Sequence, residues 1–280
     1  MATSSYKYFL VDTPAPFVAH VQINRPKKIN AFFEEMWLEL KTIFDTLSIS
    51  PDIRAVILSG VGDRGFTAGL DVQAASQEGV LAQQAGVDDA ARKAVAIRRH
   101  VQEFQDCIGS IEKCAKPVIC VLHGVALGLA IDIATCADIR LCTSNISFAV
   151  KEVDIGLAAD IGTLSRLPKI VGSTSWVKDV CLTARIFGAE EALRVGFVSH
   201  VLENKNAALG RAMEMAKLLA EKSPIAVQGT KELLNHSRDH AVAESLKYTG
   251  LWNSAAIQTS DVERAMLSGL KKTKPRFEKL

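Results

Sequence analysis

A chain of 280 residues can bury a sizeable core, as one large domain or a domain with an appendage. Its 48% hydrophobic and 23% charged content is that of a soluble globular protein, and no apolar run is long enough to span a bilayer, so a membrane protein is excluded. A net charge of +2 gives no global attraction to nucleic acid or to an acidic surface, so any anion-binding patch must be local.

In chain order, the first extended run begins near Tyr6, which leaves no room for a signal peptide or an amphipathic transit helix. Short apolar runs at residues 17–23, 55–59, 117–122 and 139–142 predict strands, and the longer helical patterns between them predict a mixed α/β fold. Trp37, Leu40, Phe44 and Leu47 recur on one face and predict a helix over 35–47. Ile97, Val101, Phe104, Ile108 and Ile111 predict a second helix over 90–111, with Arg98, Arg99, Glu103 and Asp106 on its outer side. The intervening stretch 77–89, with Gly79 and Gly86, reads as a mobile loop.

Cys107, Cys114, Cys120, Cys136, Cys142 and Cys181 lie in apolar contexts without a C-x-x-C pair, which fits a reduced compartment. After about Asn204 the strand signals vanish. Residues 207–223, 225–237, 241–259 and 261–270 predict helices, broken at Ser223-Pro224 because the residue before proline disfavours the α region. The domain reading is a core over 1–203 and a helical region over 204–280 that packs on a neighbouring subunit or on its own core. The basic final stretch ends in Glu278-Lys279-Leu280, which resembles the peroxisomal Ser-Lys-Leu address except at Glu278; a cytoplasmic or mitochondrial location is the alternative.

Two segments following predicted strands offer free backbone donors. Residues 64–72 (Arg-Gly-Phe-Thr-Ala-Gly-Leu-Asp-Val) are small enough for a ligand to approach the main chain. Residues 123–132 run from His-Gly into a helical pattern, and a helix entrance exposes unpaired N–H groups. Taken alone, either is more often a tight turn. Three carboxylates stand in apolar company: Asp132 among Leu127, Leu129, Ile131 and Ile133, and Glu152 and Asp160 among Val150, Val153, Ile155, Leu157 and Ile161. Such a group is either paired and hydrogen-bonded or kept at a raised pKa for proton transfer. The bland partner for Glu152 is Lys151 or Arg140, and the bland role for Asp160 is a helix N-cap.

Gly60-Val61-Gly62-Asp63-Arg64-Gly65 satisfies G-x-G-x-x-G, with Asp88 or Asp89 where a ribose-binding acid would stand, but it leads into another extended segment rather than a helix. Nicotinamide binding is therefore declined. No G-x-S-x-G elbow or H-E-x-x-H occurs and the six histidines are scattered, so neither a serine hydrolase nor a zinc enzyme is supported.

Four stretches in order resemble the crotonase (enoyl-CoA hydratase/isomerase) superfamily: 24–31 (Asn-Arg-Pro-Lys-Lys-Ile-Asn-Ala), 66–71, 123–132 with 136–140, and 162–172. Within it, residues 150–164 and 111–117 are similar to the Δ3,5-Δ2,4-dienoyl-CoA isomerases. The resemblance implies a spiral of ββα units with a helical C-terminal region that builds a homotrimer or homohexamer. It implies a fatty acyl-CoA thioester substrate, no metal and no cofactor beyond the CoA of the substrate. The backbone N–H groups of Leu70 and Leu129 would form an oxyanion hole, and Glu152 and Asp160 would transfer protons with Asp132 as a third acid. Arg25, Lys27 and Lys28 would meet the CoA phosphates, and Ala68, Gly69, Leu70, Asp71, Val72 and Gln73 would line the thioester. A 2-enoyl-CoA hydratase would carry glutamate at 132 and glycine at 160, so that pattern is broken twice. The family's run of glycines is replaced here by Gly128-Leu129-Ala130, which requires the Leu129 side chain to point away from the thioester. Competing readings are another crotonase activity, hydratase or 3-to-2 enoyl isomerase, and a non-catalytic CoA-binding subunit.

Overall fold

The computed structural model describes residues 6–78 and 89–280. Of the loop expected at 77–89, residues 79–88 lie outside that description. The chain begins with strands β1 (Phe9–Ala15) and β2 (Val18–Ile23), helix α1 (Glu34–Ile49) and strands β3 (Ala55–Gly60) and β4 (Gly65–Thr67). Helices α2 (Val72–Glu78) and α3 (Ala90–Lys113) precede a second strand pair, β5 (Val118–Leu122) and β6 (Val125–Leu127). Helix α4 (Leu129–Cys136) leads to a third pair, β7 (Ile139–Thr143) and β8 (Ser147–Ala149).

Each of these pairs splits between two sheets. The larger has the order β1-β2-β3-β5-β7-β10, where β10 is His200–Leu202; the smaller has the order β4-β6-β8-β9, where β9 is Phe187–Gly188. Neighbours are parallel except at β1/β2 and β8/β9. A chain that repeatedly gives one strand to each sheet and returns through a helix winds as a spiral. Every residue of β3 and β5 is buried, as expected for parallel strands covered on both faces.

One face of the large sheet packs on α1 and α3, with Leu40, Phe44, Phe104 and Ile108 in a common core with Val56 and Leu58. The other face is closed by α8 (Lys205–Ala220), reached through α5 (Thr163–Ile170), α6 (Thr174–Thr183) and α7 (Ala189–Arg194). Buried Ala208, Ala212, Ala216 and Ala220 recur every fourth residue, so α8 lays a stripe of methyl groups on Val18, Ile57, Ile119, Val121 and Leu141. The first helix of the C-terminal quarter is therefore part of the core, where the sequence left its partner open.

Helices α9 (Pro224–Asp239), α10 (Val242–Ala256) and α11 (Ser260–Leu270) follow. Ser223 makes the predicted break and caps α9, accepting from Ala226 N at 3.2 Å. A buried ion pair fastens α9 to the body: Lys231 Nζ donates to Asp138 Oδ2 at 2.8 Å and to the Lys116 carbonyl at 3.1 Å, and Asp138 also accepts from Val118 N. Burial pushes the Asp138 carboxyl up despite this cation, so desolvation outweighs the attraction. The pair is thus costly to form and costlier to break. Lys231→Ala should lower the unfolding free energy by about 3–5 kcal/mol in urea titrations; a loss under about 1 kcal/mol would show that the pair contributes little.

Candidate active site

The turn after β4 and the turn after β6 run side by side because β4 and β6 are paired. Gly69 has φ +92°, and a Cβ there would meet the Leu127 carbonyl oxygen at 2.6 Å and stand 3.5 Å from Leu129 N. Only glycine allows this approach. Phe32 anchors the first turn, donating its N–H to the Gly69 carbonyl at 2.8 Å and accepting from Asp71 N at 2.7 Å. Gly128, at φ 52°, turns the second segment into α4, and its own N–H bonds the Ala149 carbonyl. Among the described residues neither Leu70 N nor Leu129 N has an acceptor. The Leu129 side chain is buried in the core.

Glu152 opens the short 3-10 turn Glu152–Ile155 and reaches back over the second segment: a Cβ on Gly128 would lie 3.3 Å from Glu152 Oε1. Its Oε2 is buried and has no hydrogen-bond partner. Neither bland partner is available, since Lys151 bonds Asp154 and the Ala184 carbonyl, and Arg140 bonds the Phe197 and Ala137 carbonyls. Burial pushes the Glu152 carboxyl up, and the charge of Asp160 adds to this.

Asp160 is not the cap of α5; Gly162 holds that position. The Asp160 carbonyl accepts from Gln105 of α3. Its side chain stands exposed on the single chain, unlike the enclosed position its apolar neighbours suggested, because Val153, Ile155 and Leu157 are themselves at the surface. The surrounding protein still removes enough water to push its carboxyl up, with His100 opposing.

Asp132 is the most enclosed of the three, 1% exposed on α4. Its Oδ1 accepts from Thr163 N at 2.6 Å and from Thr163 Oγ1 at 2.8 Å. Those bonds and Arg166 favour the anion, but burial and the nearby charge of Glu152 prevail and push its carboxyl up to about 7. Sequence reasoning did not find Thr163, because it meets Asp132 only through the packing of α5 on α4. Arg166, one turn further on, donates from Nε and Nη2 to Glu112 Oε2 at 3.1 and 3.0 Å. Glu112 also takes Arg238 of α9, and Asp239 takes Arg238 and Lys169. These cations hold both carboxylates down.

Of the expected CoA-binding residues, Lys27 and Lys28 are exposed on the 3-10 turn Pro26–Lys28. The Arg25 guanidinium instead pairs with Asp71 at 2.8 Å and donates to the Ala31 carbonyl at 2.8 Å, holding the first turn. Ala68 and Leu70 are half-buried beside buried Gly69, and Val72 and Gln73 are exposed on the first turn of α2. The declined glycine motif lies between β3 and β4 and opens no helix. Among the described residues no cluster of three or more His, Cys, Asp or Glu side chains could hold a metal ion, and no helix is long and apolar enough to cross a membrane.

Two outcomes follow from this geometry. Gly69→Ala should cost about 1–3 kcal/mol of stability in urea titrations, since its backbone is strained for any side chain; an unchanged midpoint would mean that the two turns can part freely. Asp132 binds a proton more tightly folded than unfolded, where carboxyls titrate near about 3.9. Its contribution is therefore present in full below about pH 4 and is lost as pH rises towards about 7. The stability of Asp132→Asn should fall less than that of the wild type across this window, and parallel declines would contradict the assignment.

The family described as enoyl-CoA hydratase/isomerase matches residues 15–279. The mitochondrial Delta(3,5)-Delta(2,4)-dienoyl-CoA isomerase of Mus musculus is 43% identical over 268 residues, 96% of this chain and 81% of that protein. The peroxisomal Delta(3,5)-Delta(2,4)-dienoyl-CoA isomerase of Arabidopsis thaliana is 38% identical, over 94% of this chain and 93% of that protein. The crystal structure of an enoyl-CoA hydratase from Bacillus anthracis superposes with a TM-score of 0.85 at 24% identity, covering 97% of this chain and 99% of that one, which speaks to the fold. By sequence along nearly its whole length and by its spiral of paired strands and helices, the chain belongs to the enoyl-CoA hydratase/isomerase family.

Proposed function

We propose that the protein is a Δ3,5-Δ2,4-dienoyl-CoA isomerase of fatty acid β-oxidation. The observation that carries this reading is the placement of Glu152 against Gly128, beside two unpartnered amides, with Asp160 close enough for its charge to raise the Glu152 carboxyl. Converting a 3,5-dienoyl thioester to its 2,4-dienoyl form removes a proton at C2 and adds one at C6. A single carboxylate reaches both ends poorly; two acids with raised proton affinity divide the work. The resemblance favours Asp160 as the base at C2 and Glu152 as the acid at C6. Charge developing on the thioester oxygen meets the N–H groups of Leu70 and Leu129, and losing one such donor typically costs about 10²–10³ in rate. Asp132, nearly neutral-poised beneath Glu152, serves as the third acid.

The same reading takes CoA as part of the substrate, with no separate cofactor, and gives its phosphates to Lys27 and Lys28 at the surface. Residues 1–203 with α8 form the catalytic body, and α9–α11 join subunits into a trimer or hexamer. Exposed Val242, Leu246, Leu251, Ile257, Met266 and Leu270 on α10, its end and α11 support that assembly. The proposed compartment is the peroxisome, on the resemblance at Glu278-Lys279-Leu280; relatives named for peroxisomes and for mitochondria carry the same activity in their names.

Purified protein given 3,5-dienoyl-CoA should generate the absorbance of the conjugated 2,4-diene, whereas activity confined to hydrating 2-enoyl-CoA would reject the assignment. Glu152→Gln and Asp160→Asn should each reduce kcat by about 10²–10⁴ with KM nearly unchanged. A variant retaining most of its rate would remove that residue from the mechanism.

A further inference from the structure

Asp132 receives two hydrogen bonds on one oxygen, both from the same residue, and both partners are buried: Thr163 is 0% exposed and Asp132 1%. Thr163 N is the first N–H of α5, whose cap position is held by Gly162, a residue with no side chain to offer. Asp132 therefore caps α5 from a helix 31 residues earlier in sequence. Arg166 lies across this junction so closely that a Cβ on Gly162 would collide with its guanidinium.

We propose that Thr163 is a positioning residue for proton transfer: its hydroxyl and N–H together immobilise Oδ1 of Asp132, leaving only Oδ2 to exchange a proton. The inference rests on the proton-transfer reading above. A carboxylate accepts through two oxygens, and one already saturated by two donors is a poor site for protonation. A free Asp132 could rotate and exchange its oxygens at will; here each half-turn must first break both buried bonds to Thr163, which raises the barrier to exchange.

The charged and titratable groups facing Asp132 are Glu152 from the 152–155 turn, Arg166 from α5, Cys181 from α6 and Cys136 from its own helix. Glu152 favours the neutral acid and Arg166 the anion. Within that opposition, among the described residues the Thr163 hydroxyl is the one neutral side chain that bonds the carboxylate directly, and it can be removed without altering net charge. Loss of it tips Asp132 towards the protonated form and raises its midpoint.

The test compares Thr163→Val with Thr163→Ser and the wild type by carboxyl 13C titration, with Asp132→Asn assigning the signal. Thr163→Val should raise the Asp132 midpoint by about one pH unit and lower kcat about tenfold with KM within about twofold. Thr163→Ser should restore both. In an Asp132→Asn background, Thr163→Val should add no further loss of kcat, because the residue acts through Asp132. An unchanged midpoint in Thr163→Val overturns the proposal.

Should that variant not fold, the wild type decides. Its Thr163 amide shift should titrate with the Asp132 midpoint and become flat in Asp132→Asn, and a flat wild-type signal overturns the proposal. Neither titration uses a thioester. A failed diene assay with intact titrations would therefore count against the substrate assignment, and flat titrations beside a working assay would count against Thr163 alone.

Discussion

The site depends on how closely two turns of main chain approach one another. Gly69 lies against the Leu127 carbonyl at a distance that admits no side chain, and this contact brings the turn before Leu70 close to Leu129 N. Two amides from unrelated parts of the chain can face one oxygen only if the strands that deliver them are hydrogen-bonded neighbours, as β4 and β6 are. The spiral makes this possible by sending the second strand of each pair to a separate small sheet, so that consecutive turns end along one edge. The position of a glycine thus fixes where the two turns of main chain meet.

Around those amides the carboxylates are governed by one contest with three outcomes. Burial opposes ionisation at Asp132, Glu152 and Asp160 alike. Asp132 is almost wholly enclosed, and even two hydrogen bonds and an arginine do not restore its ordinary proton affinity. Glu152 has one buried oxygen without a partner, and burial outweighs the backbone hydrogen bonds from Glu152 and Lys151 that favour its anion. Asp160 keeps contact with solvent on the single chain, yet the protein around it removes enough water to push its carboxyl up against the opposing charge of His100. Nearby Glu112, half-buried, shows the opposite result because two guanidiniums outweigh its desolvation. The balance decides: two guanidiniums outweigh burial at Glu112, whereas Arg166 does not at Asp132, nor Lys231 at Asp138.

Helix α5 links these elements. Its start is capped by Asp132, its first turn carries Arg166, and Arg166 shares Glu112 with Arg238 of α9. The C-terminal helices are therefore connected to Asp132 through one short helix, and the Lys231–Asp138 pair fixes α9 on its other side.

The fold class was legible in sequence because its signals are local. The apolar runs at 55–59 and 117–122 became fully buried parallel strands, and the helix over 90–111 needed only its cap, Asp89, and one further half-turn. The small strands β4, β6, β8 and β9 were not legible as strands, since two or three residues carry no periodicity and exist only by pairing. The glycine turns, the apolar company of the three acids and the family likeness drew attention to segments that the fold brings together. Sequence could not show that Leu129 turns into the core, that Arg25 is bound to Asp71, that Asp160 stands in the open on a single chain, or that Asp132 belongs to Thr163. Local composition determines which residues seek burial and which turns the backbone can make; which buried group meets which partner is settled by contacts between segments tens of residues apart, and only the packed chain contains them.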